Sequence, residues 1–300
     1  MKTILRTFVG CTAILFGTAC MGAVKYVPEN MKVELSLKVP GNNAVNYKLH
    51  PDKLENSYFD YEWRSDNKLP ITVFHKVEER DSCMRLTVQL TAAQDVYFNY
   101  RQLLSTGYRH DNCQFYMPGF WYRRNLRSPK KAPSFHTSDS WLVREDRLSA
   151  PLTGIFSEKE KRFMTVNRLD DFSMDALATH KEGEIILSGK TSLGFTGFEN
   201  QQGIAMLSFG FPYREAPKSY IRKLTLAPEV EAFQLMKKGE SVLLTWEIME
   251  SGADDFSDFI QHTWEHCYDT YAPKPVENSY SIADMKQVLS CCLLYTSDAA

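Results

Sequence analysis

Two strictly alternating segments stand out in the first third of the chain. Residues 31–39 and 84–91 place an apolar side chain at nearly every second position. A period of two buries one face of a β-strand and exposes the other. Further apolar segments that predict strands are residues 71–77, 96–103, 114–122, 162–168, 185–188, 204–211, 221–227 and 242–249. Turn residues separate these segments and no helix-length periodic segment intervenes, so we expect residues 24–250 to form a mainly β domain, a large antiparallel β-sandwich.

The pattern changes near residue 250, where apolar residues begin to recur with the period of a helix. The apolar stripe consists of Phe256, Phe259, Ile260, Thr263, Trp264, Cys267, Tyr268 and Tyr271. Such a stripe predicts an amphipathic helix that packs against a partner surface. Pro273 and Pro275 end the helix, so residues 251–275 are predicted to be a linker helix and a proline linker. Ser281 with Asp284 predicts the N-terminus of a first helix, residues 279–291, of a truncated helical domain.

Both ends of the chain carry features that do not belong to a folded domain. Residues 1–19 combine basic residues, an apolar stretch and a small-residue site, the pattern of a secretory signal peptide. Cleavage after Ala19 would leave Cys20 first, which resembles a bacterial lipoprotein signal, so we expect a periplasmic or outer-membrane protein with a lipid anchor on Cys20. Residues 292–300 match the translation of a sequencing adapter, and we expect the natural chain to continue differently beyond residue 291.

Charge and cysteine content exclude several classes of protein. Lys and Arg number 35 against 37 Asp and Glu, so no overall basic field would attract nucleic acid, which is not expected as a partner. The cysteines are too few for a disulfide framework and lack zinc-finger or redox spacing, although Cys83 and Cys113 could either pair across strands or remain buried thiols. No nucleotide-binding or serine-hydrolase motif is present, so we expect no cofactor.

One short motif invites a metal-site interpretation. His262, Glu265 and His266 match the H-x-x-E-H pattern of inverted zinc peptidases. On a helix, however, all three side chains point away from the centre of the apolar stripe. Exposed polar side chains on an amphipathic helix explain the pattern better, so no metal ligand and no catalytic residue are assigned.

The segment from Tyr108 to Arg147 is rich in aromatic and basic residues. Aromatic rings stack on the apolar faces of sugars, and arginine suits a planar carboxylate such as that of a uronic acid. The long stretch 125–140 is predicted to project as a loop. The candidate substrate-binding residues are Trp121, Tyr122, Arg123, Arg124, His136 and Trp141. The alternative, that both tryptophans are core residues and the arginines are ordinary surface, stays open.

Residues 119–125, 140–146 and 211–215, together with the order of elements, resemble large carbohydrate-active proteins of polysaccharide-degrading bacteria. The resemblance is to glycoside hydrolases of the (α/α)6-toroid type. It implies a β-supersandwich before a linker helix and a missing catalytic toroid, where the acid/base carboxylates lie. We therefore expect a β-domain that is not catalytic alone, supports the toroid, lends a loop to its cleft and contacts an oligo- or polysaccharide. The alternative is a glycan-binding or structural surface lipoprotein without catalysis.

Overall fold

The computed structural model describes residues 26–39, 42–80, 83–129, 131–170, 185–188, 190–222, 225–274, 281, 283–288 and 290. The predicted signal peptide, Cys20 and residues 292–300 lie outside this part. The chain forms two compact units, Met1–His262 and Thr263–Ala300. Among the described residues, no helix is both long and apolar enough to cross a membrane.

The described part of the first unit is built mainly of strands, most of them antiparallel to their neighbours. The strands are β1 (Met31–Lys38), β2 (Val45–Lys53), β3 (Tyr61–Arg64), β4 (Ile71–Glu79), β5 (Cys83–Ala92), β6 (Val96–Arg109), β7 (Cys113–Met117), β8 (Trp121–Arg123), β9 (Trp141–Arg144), β10 (Leu152–Ser157), β11 (Arg162–Arg168), β12 (Ile185–Ser188), β13 (Phe195–Gln201), β14 (Ile204–Phe211), β15 (Arg214–Arg222), β16 (Thr225–Met236) and β17 (Ser241–Gly252). The prediction of a mainly β, largely antiparallel fold is confirmed.

Nine of these strands form one antiparallel sheet in the order β2, β3, β4, β5, β17, β11, β10, β7, β8. Six others, β6, β14, β13, β9, β15 and β16, pair in sequence and return to β6, forming a closed six-stranded barrel. The strand pairing therefore does not confirm the predicted β-sandwich, because one of the two sheets closes into a barrel. The ring closes because one edge of β6 holds two strands, with β14 along Tyr100–Arg109 and β16 along Val96–Phe98.

The remaining strands attach to the outside of this ring. β1 pairs with the other edge of β6, and β12 runs parallel to β16. β2 pairs with β3 through His50–Lys53 and with β1 through Val45–Leu49. Because β1 also pairs with β6, β1 connects the nine-stranded sheet to the ring.

Aromatic side chains fill the space where the ring and the nine-stranded sheet meet. The Trp246 ring of β17 lies 6.3 Å from the Tyr100 ring of β6 and 5.2 Å from the Phe209 ring of β14. The Phe115 ring of β7 stacks 4.1 Å from the Phe198 ring of β13. All five side chains are buried, and burial of each large apolar side chain contributes roughly 1.5–3 kcal/mol.

The predicted helix is present as α1 (Phe256–Tyr271). Asp255 caps it, because its Oδ1 accepts hydrogen bonds from the backbone N–H groups of Ser257 and Asp258. Phe259 packs against the rings of Phe156 and Phe163, at 5.9 and 4.9 Å. The buried stripe is narrower than predicted. Its buried members are Phe256, Phe259, Thr263 and Cys267, whereas Trp264, Tyr268 and Tyr271 are exposed.

The second unit is described at residues 263–274, 281, 283–288 and 290. Residues 283–288 are helical. The Ser281 hydroxyl accepts a hydrogen bond from the Asp284 N–H, and the Asp284 carboxylate accepts one from the Ser281 N–H. Ser281 and Asp284 thus form a capping box at the predicted start of this helix, while the domain limits at 24–250, 251–275 and 279–291 stay predictions.

Candidate functional site

A groove with a volume of about 780 Å³ lies beside the hairpin of β7 and β8. We call it the arginine groove. It is lined by Gln114, Tyr122, Arg123, Arg124, Asn125, Leu126, Arg127, Ser128, Pro129 and Glu158. Seven consecutive lining residues follow Tyr122 in the chain, so one short stretch of sequence builds most of the surface.

Strand alternation turns Tyr122 towards the groove. In the β7–β8 hairpin, Met117 pairs with Trp121 and Tyr116 pairs with Tyr122. Successive side chains of a strand point to opposite faces. Accordingly Trp121 is fully buried, whereas Tyr122 is 52% exposed. The Tyr116 ring lies 5.3 Å from the Tyr122 ring and supports it from behind.

Two residues shortly after Tyr122 have backbone conformations in the left-handed region. Arg123 has φ of +58° and Asn125 has φ of +48°. For a residue with a Cβ atom this region is unfavourable in free energy, and the surrounding contacts must stabilise it. In proteins generally, strained conformations of this kind are often found at functional sites.

Asn125 holds the bend by three hydrogen bonds. Its Oδ1 accepts from the Tyr122 N–H at 3.0 Å, and its Nδ2 donates to the carbonyls of Phe120 and Pro133 at 3.2 and 3.3 Å. These bonds tie both ends of the following loop to the hairpin. The groove wall is therefore fixed by the half-buried side-chain amide of Asn125 rather than by regular secondary structure.

The three arginines of the groove differ in their contacts. Arg124 donates from Nε to the Cys113 carbonyl at 3.2 Å and from Nη2 to the Asp111 carbonyl. The Arg123 guanidinium lies 5.0 Å from the centre of the Phe256 ring, a cation–π contact. Arg127 is exposed and has no hydrogen-bond or ion-pair partner among the described residues.

These three arginines differ from all the others whose side chains the structure describes. Each of the others has a carboxylate oxygen within 4.0 Å. Those paired arginines are Arg64, Arg80, Arg85, Arg101, Arg109, Arg144, Arg147, Arg162, Arg168 and Arg214. Glu158 is the one carboxylate among the described groove residues, and it accepts a hydrogen bond from Gln114.

The predicted binding residues are placed unequally. Tyr122, Arg123 and Arg124 line the groove together. Trp121 and Trp141 are buried in the core with their rings 5.8 Å apart, so neither ring can face a ligand. For these two residues the structure agrees with the alternative that they belong to the core. His136 is exposed and lies outside the lining, with Nε2 3.0 Å from the Leu126 carbonyl of the groove loop.

Sequence reasoning missed Asn125, Arg127, Gln114 and Glu158. The first two lie in the stretch that was predicted to be a loop, and a local excess of arginine there was a usable signal. Gln114 lies in β7 and Glu158 in the turn after β10, two strands that pair with each other but are far apart in the chain, so no local pattern could associate these residues.

Both histidines of the H-x-x-E-H motif lie near a side chain one turn away on the helix. His262 Nε2 lies 3.4 Å from Asp258, one turn earlier. In the second unit, His266 Nε2 lies 3.5 Å from the Thr270 hydroxyl. Neither contact is particular to a zinc peptidase.

Cys83 and Cys113 are buried free thiols, so they do not form the disulfide that the sequence left open. Burial raises the pKa of Cys83 to about 11 and that of Cys113 to about 12. Both thiols therefore stay protonated at neutral pH and are poor nucleophiles.

No known family matches the chain, and no curated protein matches it. Three solved structures show weak similarity. A polysaccharide lyase is 13% identical with a TM-score of 0.36, and the match covers 78% of this chain and 27% of the lyase. A protein of Synechocystis sp. PCC 6803 is 7% identical with a TM-score of 0.36, over 72% of this chain and 73% of that one.

The third is a human-microbiome protein described as a kojibiose phosphorylase, 6% identical with a TM-score of 0.30, over 85% of this chain and 25% of that one. Two of the three are thus carbohydrate-active enzymes, and this chain spans about a quarter of their length. The TM-scores are too low to establish a shared fold or activity.

Proposed function

We propose that this chain is the β-domain of a secreted polysaccharide-processing protein and that it binds a saccharide in the arginine groove. The observation that carries the proposal is the exposed, supported ring of Tyr122 in a groove that is also lined by polar side chains, three arginines among them. Its volume of about 780 Å³ falls in the range of ordinary ligand sites, about 300–1,000 Å³.

The Tyr122 ring has the properties of a sugar-stacking platform. An aromatic ring offers a flat apolar surface together with a polar tip. Here the ring is held in advance, by Tyr116 behind it and by the Gly119 N–H, which donates to the Tyr122 hydroxyl at 3.4 Å. Because the side chain is ordered before binding, little conformational entropy is lost when a ligand stacks on it.

The groove favours binding over hydrolysis. Glycoside hydrolysis ordinarily uses two carboxyl groups on either side of the scissile bond. Among the described lining residues only Glu158 carries a carboxylate, and Gln114 already donates to it. We therefore assign this unit a non-catalytic role.

The proposal includes the surrounding protein. The signal-like residues 1–19 and Cys20 support export and lipid anchoring in the periplasm or outer membrane. The helix α1 and the helical residues 283–288 support a helical region after the β-domain, which we propose to be a catalytic (α/α)6 toroid. The groove loop would then contribute to the binding of the same polysaccharide.

A glycan array followed by calorimetry tests the binding role. Tyr122→Ala should weaken binding of the selected saccharide on the order of tenfold, because the stacking platform is removed. Tyr58→Ala is the matched control, since Tyr58 is 70% exposed and lies outside the groove. A protein that binds no saccharide on the array, or that binds equally with and without Tyr122, contradicts the proposal.

A further inference from the structure

We infer that the arginine groove selects acidic saccharides, whose rings carry carboxylate or sulfate groups, over neutral ones. This inference rests on the proposed function, because it names the class of saccharide that the same groove would take.

Outside the groove, every arginine whose side chain the structure describes is paired with a carboxylate, whereas the three groove arginines are not. Ten arginines with described side chains have a carboxylate within 4.0 Å, including exposed ones such as Arg64 and Arg109. Arg123, Arg124 and Arg127 have none, and all three line one cavity. Three guanidinium groups without a carboxylate within 4.0 Å repel one another on one concave surface, and a bound anion would relieve that repulsion.

The contacts of Arg123 and Arg124 orient these cations without neutralising them. Arg124 donates to two backbone carbonyls, which are neutral acceptors. Arg123 lies over the Phe256 ring, which fixes the guanidinium plane and leaves its N–H edges available. A guanidinium so held presents paired donors that match the geometry of a carboxylate or sulfate group.

Arg123 also occupies an unusual backbone conformation. Its φ of +58° is unfavourable for a residue with a Cβ atom. Asn125, bonded to the Tyr122 N–H, holds this bend in place. The bend puts an aromatic ring and a cation side by side in the groove, which suits an acidic sugar ring that is stacked and paired at once.

The single groove carboxylate does not cancel this charge. Glu158 accepts a hydrogen bond from Gln114 and lies more than 4.0 Å from every guanidinium nitrogen of the three arginines, since no ion pair joins them. The groove therefore keeps a net positive charge, with three arginines against one glutamate among its described lining residues.

The test is a glycan array on which each acidic glycan is printed beside its carboxyl-reduced or desulfated form, followed by calorimetry of the best pair. We expect the acidic form to bind at least tenfold tighter, and we expect that preference to weaken as NaCl is raised, because exposed ion pairs are screened. The double variant Arg123→Gln with Arg127→Gln should reduce the preference on the order of tenfold. Arg64→Gln, an exposed arginine paired with Asp52 outside the groove, should leave it unchanged.

The outcomes separate this inference from the proposed function. Equal binding of acidic and neutral forms, lost in Tyr122→Ala, overturns the acidic preference and keeps the saccharide site. No binding of any glycan overturns both. A preference for acidic forms that survives the double variant places the selecting charge elsewhere and overturns the assignment to this groove. Comparison of carboxylated with sulfated glycans then identifies which acidic group is recognised, and preference for either supports the inference.

Discussion

Two adjacent residues of β8 differ completely in burial, which limits what a local sequence pattern can predict about single residues. Trp121 is buried and donates from Nε1 to the Arg123 carbonyl at 2.9 Å, while Tyr122 is exposed in the groove. A strand of three residues is too short to reveal which of its faces points inward. Replacing Trp121 would therefore open a cavity in the core, at roughly 3–5 kcal/mol, and would report on stability and not on binding.

A buried ion pair gives a sharp residue-scale prediction. Arg168 Nη1 donates to Glu145 at 2.6 Å and to the Ser192 carbonyl at 3.0 Å, and Nε donates to Asp170 at 3.1 Å. Burial raises the pKa of the Glu145 carboxyl, and the charge of Arg168 opposes that shift. Arg168→Met should therefore lower the free energy of unfolding by about 3–5 kcal/mol in urea titrations, because it leaves Glu145 buried without its partner.

The matched control for that variant is Arg162→Met. Arg162 pairs with Glu250 at 2.9 Å, but its side chain is 44% exposed, so its loss should cost under about 1 kcal/mol. Adding Glu145→Gln to Arg168→Met should recover part of the lost stability by removing the unpaired charge. If Arg168→Met and Arg162→Met prove equally mild, the buried pair contributes no more than a surface pair.

At the scale of elements, the closed barrel depends on places where two backbones approach closely. Gly197 of β13 lies opposite Leu142 of β9. A Cβ atom built on Gly197 would lie 1.9 Å from the Trp141 carbonyl oxygen, and one on Gly210 of β14 would lie 2.1 Å from the Tyr100 carbonyl oxygen. Both contacts are with backbone, which cannot move aside as a side chain can. Glycine is thus needed at these positions for the ring to close.

We expect Gly197→Ala to destabilise the β-rich unit by at least the roughly 1–3 kcal/mol typical of overpacking. The measurement is the midpoint of thermal or urea unfolding. Gly252→Ala, in β17, is the control, because the nearest atom to its Cβ would be the Lys161 carbonyl oxygen at 3.7 Å, an ordinary contact. Equal stability of the two variants would mean that β9 and β13 can separate at little cost.

At the scale of the whole β-rich unit, a hydrogen-bonded chain of side chains crosses between the nine-stranded sheet and the barrel. His75 of β4 lies 3.1 Å from the Tyr26 hydroxyl through Nδ1 and 2.9 Å from the Tyr100 hydroxyl through Nε2. The Tyr100 hydroxyl donates to Gln102 of β6, so it accepts from His75 Nε2–H, and Nδ1 in turn accepts from Tyr26. The chain is complete only with a neutral imidazole.

This arrangement predicts sensitivity to acid. Burial lowers the pKa of His75 to about 3, against about 6.5 in an unfolded chain. The unfolded state therefore binds the extra proton between pH 6.5 and pH 3, so the stability contributed by neutral His75 is complete above pH 6.5 and is lost as the pH falls towards 3. Each pH unit in this window should lower the free energy of unfolding by at most about 1.4 kcal/mol through this residue.

Urea titrations at a series of pH values check that prediction. His75→Gln, which keeps a donor and an acceptor but does not titrate, should flatten the slope between pH 6.5 and pH 4 relative to the unchanged protein. His50→Gln, an exposed residue, serves as the control. A slope identical in His75→Gln and the unchanged protein would show that His75 takes no part in acid unfolding.

The sequence alone determined the elements whose signal is local. The alternation at residues 31–39 corresponds to β1, that at 84–91 lies within β5, and the helical stripe from Phe256 corresponds to α1, because each pattern reflects one face of a single element. Where a turn interrupts an apolar run, the local signal misleads. Residues 114–122 were predicted as one strand, but Pro118, Gly119 and Phe120 form a turn between β7 and β8.

Only the tertiary structure decided which elements meet. The closure of the barrel through β6 and the pairing of Arg101 with Glu199, 98 residues away, depend on contacts that leave no local trace in the chain. The same holds for the groove. Composition pointed to its arginines, but which arginines lack a carboxylate follows from the pairing of distant residues, since the strength of a charge pair depends on distance in space and not along the sequence.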